Sequence, residues 1–580
     1  MKTLRRISRN RAFTHLRILA AVLLVLTAAA LVFLAISPPA VAQPTPRTQP
    51  LTPKFSTAVA FDVSPAVRNL PPAARPLILD PNRIVEVREE RGPEGPKAHG
   101  VKPYSADGAL QLFSPAPAIP APLLTFEGQS NADNLALYGF RVAPPDSDGD
   151  VGPNHYVQMI NLVFAVYDKQ GNRLTGPTKI GDLWAGFAIN DCTDPSGDPI
   201  VVYDQLEDRW LLSQFTTRGP EFFNCVAISQ TGDPTGAYYR YAFSTGLNFP
   251  DYPKYGNWKK SYVITTREFG PTVEYGIGVY ALEKNKMIAG NPNARMVRFF
   301  IDGNVPANLP LVGDGLLPAD IDGTKQPKED AAIPIVGTQD DNASYGATFD
   351  ALNIWDLTVK WRSTPIASLT LATQLPVASF DSIFPCSGPQ GRNCIPQPGT
   401  AVGLDILSYR QRPTWRLAYR NFGTYETLVT NQSVEAMPGV AGVRWYEIRR
   451  DENGVYSLYQ QGTYAPGDGV HRWMGSIAMD KNGNMALGYS VSNATTVFPG
   501  IRYTGRLNGD ALGEMTLGEG VIINGSGSQL TTGSRWGDYT SMNIDPTDNC
   551  TFWYVNEYYQ ITELAAFQTR IGSFKLPGCD

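Results

Sequence analysis

The C-terminal part of the chain contains one pattern of residues twice. Each copy begins with an Arg-Trp pair and continues with Ser, Asp and Asn. The three later positions recur after 65 residues and the Arg-Trp pair after 63. A strand-turn-strand pattern that returns at such an interval predicts a β-propeller, which is a ring of similar blades. The two copies consist of Arg472, Trp473, Ser476, Asp480 and Asn484, and of Arg535, Trp536, Ser541, Asp545 and Asn549.

Short strand-like runs extend over the whole region from residue 123 to residue 580. They are rich in Val, Ile, Tyr, Phe and Trp, and Gly, Asn, Asp and Pro separate them, which is typical of an all-β fold. At about 65 residues per repeat, this region predicts seven blades, and six or eight remain compatible. One or two β-sandwiches are the alternative fold, because they share the strand pattern.

The N-terminus has the features of an export signal. Residues 1–42 contain six basic residues, then an apolar run over 18–36 and a final Ala40-Val41-Ala42. Small residues at these positions predict cleavage before Gln43. The apolar run is also long enough for a membrane anchor, so residues 1–42 are a signal peptide or an anchor. We expect the remainder to lie outside the cell or at its surface.

Residues 43–122 are rich in Pro and Ala and have few apolar clusters. Such a composition buries little apolar surface, so it predicts a mostly disordered linker or pro-segment. A short ordered piece around residues 83–87 is compatible with the sequence. The propeller domain is then expected over residues 123–580.

The charge of the chain excludes some partners. The formal net charge is −5, and without the six basic residues of 1–42 it becomes −11. An acidic exported domain is a poor partner for nucleic acid or for an anionic lipid surface. We expect a glycan or protein partner outside the cell, and a membrane contact only through an uncleaved N-terminus.

Six cysteines remain in the exported part, and none forms a C-x-x-C motif. An even number of cysteines in an exported chain predicts disulfides, although six cysteines allow 15 pairings. Proximity in sequence favours three pairs: Cys192 with Cys225, Cys386 with Cys394, and Cys550 with Cys579.

Carboxylates offer the main candidate chemistry. Asp146, Asp148 and Asp150 occupy alternate positions in a short loop that contains Gly149. Short Asp-x-Asp-Gly loops can supply the several oxygen ligands that Ca²⁺ requires. The loop is therefore either a Ca²⁺ site or an acidic turn without a metal. Histidine is scarce and no G-x-S-x-G elbow occurs. Glycoside hydrolysis needs only two carboxyl groups at a defined separation. Loop candidates for that role are Asp251, Asp314, Asp468, Asp538 and Glu557, and no catalytic pair is identified among them.

Some polar and aromatic residues are candidates for ligand binding. Arg and Trp can hold anionic or sugar ligands through forked hydrogen bonds and stacking. The repeated Arg-Trp pairs are also expected at equivalent places in two blades, which favours packing of Trp473 and Trp536 between blades. The residues that the copies do not share are then better candidates for function: His471 and Met474 in one copy, and Gly537, Asp538, Tyr539 and Cys550 in the other. The candidate ligand-binding residues are Asp251, Tyr252, His471, Arg472, Arg535 and Asp538.

Several phrases resemble a group of large exported bacterial proteins of unknown function. They are DVGPNHYVQMIN, DPIVVYDQLEDRW, HRWMGSIAMD and RWGDYTSMNIDPTDNCTFWYVNEYY. The resemblance covers roughly Asp146 to Cys579. More distantly, the blades are similar to sialidase-type propellers. Ser476 and Asp480, like Ser541 and Asp545, are spaced too widely for the Asp-box of that family, so the resemblance implies the fold and not the activity.

Three functions are compatible with these features. A binding or adhesion module for a glycan or protein is favoured, because no nucleophile-base constellation is recognisable. A glycoside hydrolase with paired carboxylates near the central channel is the alternative. A surface-structural protein is the third possibility.

Overall fold

The computed structural model describes residues 50–88, 104–341, 345–388, 391–406 and 411–579. The predicted signal or anchor over 1–42 lies outside these residues. Six strands precede the repeats: β1 (Lys54–Thr57), β2 (Ala60–Val63), β3 (Ile84–Glu86), β4 (Leu110–Gln111), β5 (Leu124–Ser130) and β6 (Arg141–Ala143). The α-helices are short: α1 (Asn131–Tyr138), α2 (Lys284–Ile288) and α3 (Leu309–Val312). Single 3₁₀ turns occur at Val67–Asn69, Ile180–Trp184 and Asn190–Thr193.

Seven blades follow one another along the chain, and each has its first strand innermost. Blade 1 contains β7 (Asp148–Val151), β8 (His155–Ile160), β9 (Val163–Asp168) and β10 (Arg173–Lys179). Blade 2 contains β11 (Ile200–Asp204), β12 (Arg209–Phe215), β13 (Phe222–Ser229) and β14 (Tyr238–Gly246). Blade 3 contains β15 (Phe249–Asn257), β16 (Ser261–Phe269), β17 (Gly276–Glu283) and β18 (Arg295–Asp302). Blade 4 contains β19 (Leu317–Asp322), β20 (Ile333–Gln339), β21 (Ala351–Lys360) and β22 (Ile366–Pro376).

The remaining blades complete the ring. Blade 5 contains β23 (Thr414–Asn421), β24 (Tyr425–Met437), β25 (Val440–Asp451) and β26 (Tyr456–Tyr464). Blade 6 contains β27 (His471–Met479), β28 (Met485–Ser492), β29 (Gly500–Arg506) and β30 (Glu519–Ile523). Blade 7 contains β31 (Ser541–Ile544), β32 (Thr551–Tyr558) and β33 (Gln568–Lys575). The innermost strands of successive blades contact each other, and β31 contacts β7. The predicted seven-bladed propeller is confirmed.

The ring closes by pairing the two ends of the propeller. β5, which precedes blade 1 in sequence, is the fourth strand of blade 7 and pairs antiparallel with β33. Arg570 pairs with Glu127 and Ile571 with Phe126 in this register. A strand from before blade 1 thus covers the outer edge of β33 and joins the last blade to the start of the propeller.

The expectation of a disordered linker over 43–122 needs correction for the described parts of that segment. β1 pairs with β18 of blade 3, β2 with β14 of blade 2, and β4 with β26 of blade 5. The physical reason is that each outer strand offers an unpaired edge, which a short extended segment can cover despite its low apolar content. Phe61 adds an aromatic contact with Tyr241, with ring centroids 5.0 Å apart. Residues 43–49 and 89–103 lie outside the described part.

The repeated pattern joins neighbouring blades. The Ser476 hydroxyl accepts a hydrogen bond from the Met542 amide at 3.0 Å, which links blade 6 to blade 7. The Ser541 hydroxyl accepts one from the Gly149 amide at 2.9 Å, which links blade 7 to blade 1. Asp480 lies at a hairpin tip, where its carboxylate accepts hydrogen bonds from two amides of the turn. The repeated Ser and Asp therefore have architectural roles.

The two repeated tryptophans are buried, as the packing interpretation predicts. Trp473 and Trp536 are both 0% exposed, and their ring centroids are 5.7 Å apart. The Trp536 indole N–H donates to the Ser490 hydroxyl at 3.0 Å. Since Trp473 belongs to blade 6 and Trp536 precedes blade 7, the pair packs at the interface of these blades.

Side chains fill the centre of the ring. Trp415 of blade 5 donates from Nε1 to Asp148 Oδ1 of blade 1 at 3.1 Å. Arg416 donates to Asp320 Oδ2 at 2.9 Å and to Asp322 Oδ1 at 2.8 Å, both on blade 4. The Trp415 contact joins blades 5 and 1 across the axis, and the Arg416 contacts join the adjacent blades 5 and 4.

Three disulfides join Cys192 to Cys225, Cys386 to Cys394, and Cys550 to Cys579. The predicted pairing is confirmed. Disulfides persist outside the cytoplasm, so they fit an extracellular protein. The described helices are all too short to cross a membrane.

Candidate functional site

The residues just before the innermost strands share a backbone conformation. Asp146, Asp198 and Asp538 precede β7, β11 and β31, and they have φ values of 47°, 45° and 65°. Tyr252 in β15 and Met474 in β27 have φ values of 52° and 50°. Non-glycine residues seldom adopt this left-handed region. Its recurrence in five blades turns the chain at the same end of the ring and brings these side chains near the axis.

Charged residues from six blades or the segments leading into them converge at this end. They form what we call the axial acid cluster, in which five carboxyl groups accompany four basic side chains. None of the nine is more than 6% exposed. The members are Asp146, Asp198, Asp251, Asp314, Asp538, Lys254, Arg267, Arg412 and Arg535. Burial of so many charged groups is costly unless they are paired.

Asp146 is the cluster member with the least compensation. It is 1% exposed, and neither carboxylate oxygen accepts a hydrogen bond from any residue that the structure describes. Its amide donates to the Gly537 carbonyl at 3.0 Å, which holds the residue against the loop of Asp538. Burial raises the pKa of Asp146 well above its usual value, and the carboxylates of Asp538 and Asp198 raise it further. Asp146 therefore favours the protonated, neutral form.

Asp198 and Lys254 titrate in the same range. Burial raises the pKa of Asp198 to about 7, although the ammonium group of Lys254 opposes the rise. Burial lowers the pKa of Lys254 to about 7, against the attraction of Asp198. The ammonium group lies 3.5 Å from the ring centroid of Tyr252 and 3.7 Å from that of Tyr539. A proton can therefore be gained or lost in the cluster near neutral pH.

Asp251 and Asp314 share one guanidinium group. Arg267 donates from Nη1 to Asp251 Oδ2 at 2.7 Å and from Nε to Asp314 Oδ1 at 3.0 Å. Burial nevertheless raises the pKa of Asp251 to about 7, because desolvation outweighs the attraction of Arg267. This fork fixes the orientation of both carboxylates.

Arg412 lies between the fork and the aromatic part of the cluster. Its Nη1 atom is 3.5 Å from Asp314 Oδ2. Its guanidinium carbon lies 3.4 Å from the ring centroid of Tyr252, a cation–π distance. Arg412 is 3% exposed, and its nitrogen atoms form no hydrogen bond within the described chain. Like the Asp146 carboxyl group, the Arg412 guanidinium group is buried and has unused hydrogen-bonding capacity.

Asp538 lies on the blade 7 side of the cluster. Its Oδ2 atom accepts a hydrogen bond from Arg535 Nη2 at 2.8 Å. Tyr252 donates its hydroxyl to the Asp538 carbonyl at 2.9 Å, so blades 3 and 7 meet across the axis. Glu557 accepts a hydrogen bond from the Gly537 amide, and burial raises its pKa well above the usual value.

Of the six candidate ligand-binding residues, four come together in this region: Asp251, Tyr252, Arg535 and Asp538. His471 and Arg472 belong instead to the packing of blade 6. Arg472 is bound by Asp468 and Glu519 at 2.7 Å each. His471 accepts a hydrogen bond from the Ala441 amide at 3.3 Å, and burial lowers its pKa to about 4. Asp468, a candidate carboxylate, is thus committed to Arg472.

The three alternating carboxylates have separate surroundings. Asp146 belongs to the cluster. Asp148 accepts hydrogen bonds from Trp415 and from the Val201 amide, at 3.1 and 2.8 Å. Asp150 accepts one from the Tyr203 amide at 2.7 Å, so both join blade 1 to blade 2. Burial raises the pKa of Asp148 to about 7. The Ca²⁺ site at these residues stays a prediction.

Another group of carboxylates lies on blade 4. Oxygen atoms of Asp340, Asp341 and Asp350 lie within 4.8 Å of one another, a spacing that a cation could share. Both oxygens of Asp350 already accept backbone hydrogen bonds, from Asp341 at 2.8 Å and Phe380 at 2.9 Å. Acidic groups alone do not define a metal site, and no metal is assigned to them.

Sequence reasoning missed four members of the cluster: Asp198, Lys254, Arg267 and Arg412. Asp198 and Arg412 lie two residues before their innermost strands, β11 and β23, as Asp146 lies two residues before β7. A polar residue two positions before each apolar innermost strand was therefore a signal from which Asp198 and Arg412 could have been identified. Arg267 lies on the second strand of blade 3 and has no comparable signal.

No protein family and no curated protein matches this chain. Solved structures that it is similar to include an α-L-arabinanase of Penicillium chrysogenum complexed with arabinobiose, at 9% identity and a TM-score of 0.30. That alignment covers 82% of this chain and 100% of the other. An α-L-arabinofuranosidase of Fusarium graminearum has 9% identity, a TM-score of 0.31 and coverages of 81% and 99%.

A further similar structure is an endo-arabinase of Bacteroides thetaiotaomicron, at 12% identity and a TM-score of 0.25, with coverages of 54% and 95%. These identities and TM-scores are too low to transfer an activity. The fold of this chain is established by its own strand order, and its function has to be inferred from its own side chains.

Proposed function

We propose that this chain is an extracellular glycoside hydrolase that uses carboxyl groups of the axial acid cluster. The observation that carries the proposal is Asp146. Its carboxyl group is buried, lacks a hydrogen-bond partner among the described residues and has a raised pKa. A carboxyl group that keeps its proton near neutral pH is what a general acid requires.

The second carboxyl group of such a reaction has to be ionised. Asp538 meets this requirement, because its ion pair with Arg535 at 2.8 Å stabilises the charged form. Its charge also raises the pKa of Asp146, so the two groups are close enough to interact. The pair therefore combines a neutral acid and a charged carboxylate in one site.

In the proposed reaction, Asp146 protonates the oxygen of the glycosidic bond as the bond breaks. Asp538 acts on the opposite side of the sugar ring, as a nucleophile or as a base for water. A separation of about 5–5.5 Å would give retention of configuration, and about 6.5–9.5 Å inversion. The phenol rings of Tyr252 and Tyr539, which meet edge to face at 5.8 Å, would border the sugar.

The test is a hydrolysis assay of the purified protein on a panel of aryl glycosides and polysaccharides. Asp146→Asn keeps the shape of the side chain and removes the transferable proton. We expect it to lower kcat by about 10²–10⁴-fold, the usual contribution of general acid catalysis. Added azide or formate is expected to restore part of the activity of Asp538→Ala if Asp538 is the nucleophile.

Asp356→Asn is the matched control. Burial also raises the pKa of Asp356, but this residue lies on β21, outside the cluster. An Asn oxygen can still accept the hydrogen bond that Tyr456 donates to Asp356 at 2.7 Å. The control is expected to keep the wild-type kcat. Equal activity of Asp146→Asn and the wild type would rule out Asp146 as the acid.

A second candidate function is a module that binds an extracellular glycan or protein without turnover. The burial of the cluster favours it, because substrate has to reach side chains that are at most 6% exposed. In this case the wild type would bind members of a glycan array and hydrolyse none of the panel. Asp146→Asn would then change stability and leave binding intact.

A further inference from the structure

A lysine, an asparagine and an aspartate lie side by side in the protein interior, where two innermost strands end. Asp204 is the last residue of β11 in blade 2, and Asn257 is the last residue of β15 in blade 3. Lys284 is the first residue of α2, directly after the third strand of blade 3. All three residues are 0% exposed. We call them the buried lysine triad.

The three side chains of the buried lysine triad contact one another directly. Lys284 Nζ lies 2.6 Å from Asp204 Oδ2 and donates to Asn257 Oδ1 at 2.8 Å. Asn257 Nδ2 donates to Asp204 Oδ1 at 3.0 Å. Asp204 therefore contacts the lysine nitrogen with one carboxylate oxygen and the amide nitrogen of Asn257 with the other.

The Lys284 nitrogen is within reach of the carboxamide carbon of Asn257. Because a carbonyl bond is about 1.2 Å long, the contact of 2.8 Å with Oδ1 places Nζ at most about 4 Å from Cγ. Reacting atoms held roughly 3–3.5 Å apart are in a near-attack arrangement. A small rotation of the Asn257 carboxamide group is enough to reach that arrangement.

The surroundings hold the buried lysine triad in place and exclude water. Tyr262 donates its hydroxyl to Asp204 Oδ2 at 2.9 Å, and the Trp258 carbonyl accepts a hydrogen bond from Lys284 at 3.1 Å. In a buried site, transfer of a proton from the ammonium group to the carboxylate removes both charges and the cost of their desolvation. The transfer leaves a neutral amine, which is the nucleophilic form of lysine.

We propose that Lys284 and Asn257 form an intramolecular isopeptide bond once the chain has folded. Asp204 accepts a proton from the Lys284 ammonium group, and the neutral Nζ atom attacks Cγ of Asn257. The bond from Cγ to Nδ2 breaks, and Nδ2 leaves as ammonia. Of the two protons that Nζ loses, one passes through Asp204 to Nδ2 and the other remains on Asp204. The reaction needs no oxidant, metal or second substrate.

The bond would close a covalent loop within blade 3. This loop contains β16 and β17, which lie between Asn257 and Lys284 in the chain. The proposal is independent of the hydrolase proposal, because the buried lysine triad shares no residue with the axial acid cluster.

The test is mass spectrometry of a tryptic digest of the purified protein, after denaturation and reduction of the disulfides. Trypsin does not cleave after a lysine whose side chain is acylated. The wild type is therefore expected to yield a branched peptide that joins residues 255–259 to residues 268–286. Its mass should equal the sum of the two peptides minus one molecule of ammonia.

Two variants separate the roles within the buried lysine triad. Lys284→Arg keeps the positive charge and removes the nucleophile, so no branched peptide is expected. Asp204→Asn removes the proton carrier and should lower the amount of branched peptide by about 10²-fold or more. Asp322→Asn is the matched control, because Asp322 is also the buried last residue of an innermost strand, β19, and pairs with Arg416. This control should yield as much branched peptide as the wild type.

A branched peptide in the wild-type digest supports the proposal. Cleavage of the wild type after Lys284, with residues 255–259 recovered as a linear peptide only, would overturn it. This outcome needs no variant, so it can be read even if a substitution prevents folding. Equal amounts of branched peptide in Asp204→Asn and the wild type would overturn the role of Asp204. No turnover is measured, so each result leaves the hydrolase proposal to its own assay.

Discussion

Replacement of Asp198 by Asn tests the electrostatics of the axial acid cluster most directly. Asp198 is 6% exposed, and its Oδ2 atom accepts a hydrogen bond from the Tyr252 amide at 3.2 Å. The side-chain oxygen of Asn can accept the same hydrogen bond. The substitution therefore removes the ionisable group and keeps the local contact, which isolates the free energy of burying the charge.

The expected magnitude follows from the pKa. Burial raises the pKa of Asp198 from 3.8 to about 7. The folded state thus holds the proton more tightly than the unfolded state, so stability is lost as the pH rises from the unfolded pKa through the folded one. Such a rise corresponds to roughly 4 kcal/mol, because each tenfold change in proton affinity is worth about 1.4 kcal/mol. Asp198→Asn should remove this loss.

Urea unfolding followed by tryptophan fluorescence at pH 8 and pH 4.5 measures the effect. We expect Asp198→Asn to be more stable than the wild type by up to roughly 4 kcal/mol at pH 8 and by about 1 kcal/mol at pH 4.5. Asp168→Asn is the control with the opposite sign, because hydrogen bonds from Asn172 lower the pKa of Asp168. It should lose stability at pH 8. If the difference in unfolding free energy between Asp198→Asn and the wild type is no larger at pH 8 than at pH 4.5, the reasoning is refuted.

Two predictions concern the ring itself. Replacement of Cys550 and Cys579 by Ala opens a loop of 29 residues, and by loop entropy it should lower the free energy of unfolding by roughly 3–4 kcal/mol; a loss below about 1 kcal/mol in urea unfolding would contradict this. Ser476→Ala and Ser541→Ala each leave a buried amide unpaired, at Met542 and Gly149, so each should cost about 1–3 kcal/mol. Thermal unfolding of both variants checks this; Ser541→Ala should cost more, because the Ser541 hydroxyl also donates to the Gly149 carbonyl at 2.8 Å, and a negligible loss in either variant would contradict the prediction.

The architecture was predictable because it depends on residues that recur. The Ser and Asp of the repeated pattern perform the same task in both copies, such as the links from Ser476 to blade 7 and from Ser541 to blade 1. The disulfides were predictable because each joins cysteines that are close in sequence, with separations of 33, 8 and 29 residues. In both cases the information is local or repeated.

The N-terminal strands were not predictable from composition. β1 and β2 contain only four residues each, and the edges that they cover belong to blades 3 and 2, far along the chain. Composition reports how much apolar surface a segment can bury by itself. It does not report whether an unpaired strand edge is available elsewhere in the fold.

The site depends on where the two copies of the pattern diverge. Arg472 is held by Asp468 and Glu519 within blade 6, whereas Arg535 is held by Asp538 at the axis. The same residue type at the same repeat position thus has a packing role in one blade and contributes to the acid cluster in the other. The connection from Arg535 to Ser541 is two residues longer than the one from Arg472 to Ser476. In the longer connection Asp538 has the left-handed conformation that Met474 has in blade 6.

This divergence explains how a propeller can hold a cluster of buried acidic and basic side chains at its axis. The repeated Trp and Ser residues join the innermost strands of blades 6, 7 and 1, through ring packing at 5.7 Å and hydrogen bonds at 3.0 and 2.9 Å. Because these contacts hold the strands in place, the fold can tolerate a destabilising residue just before β7, the buried Asp146. A buried carboxyl group without a hydrogen-bond partner among the described residues is costly for stability, which makes Asp146 the first residue to test for a function.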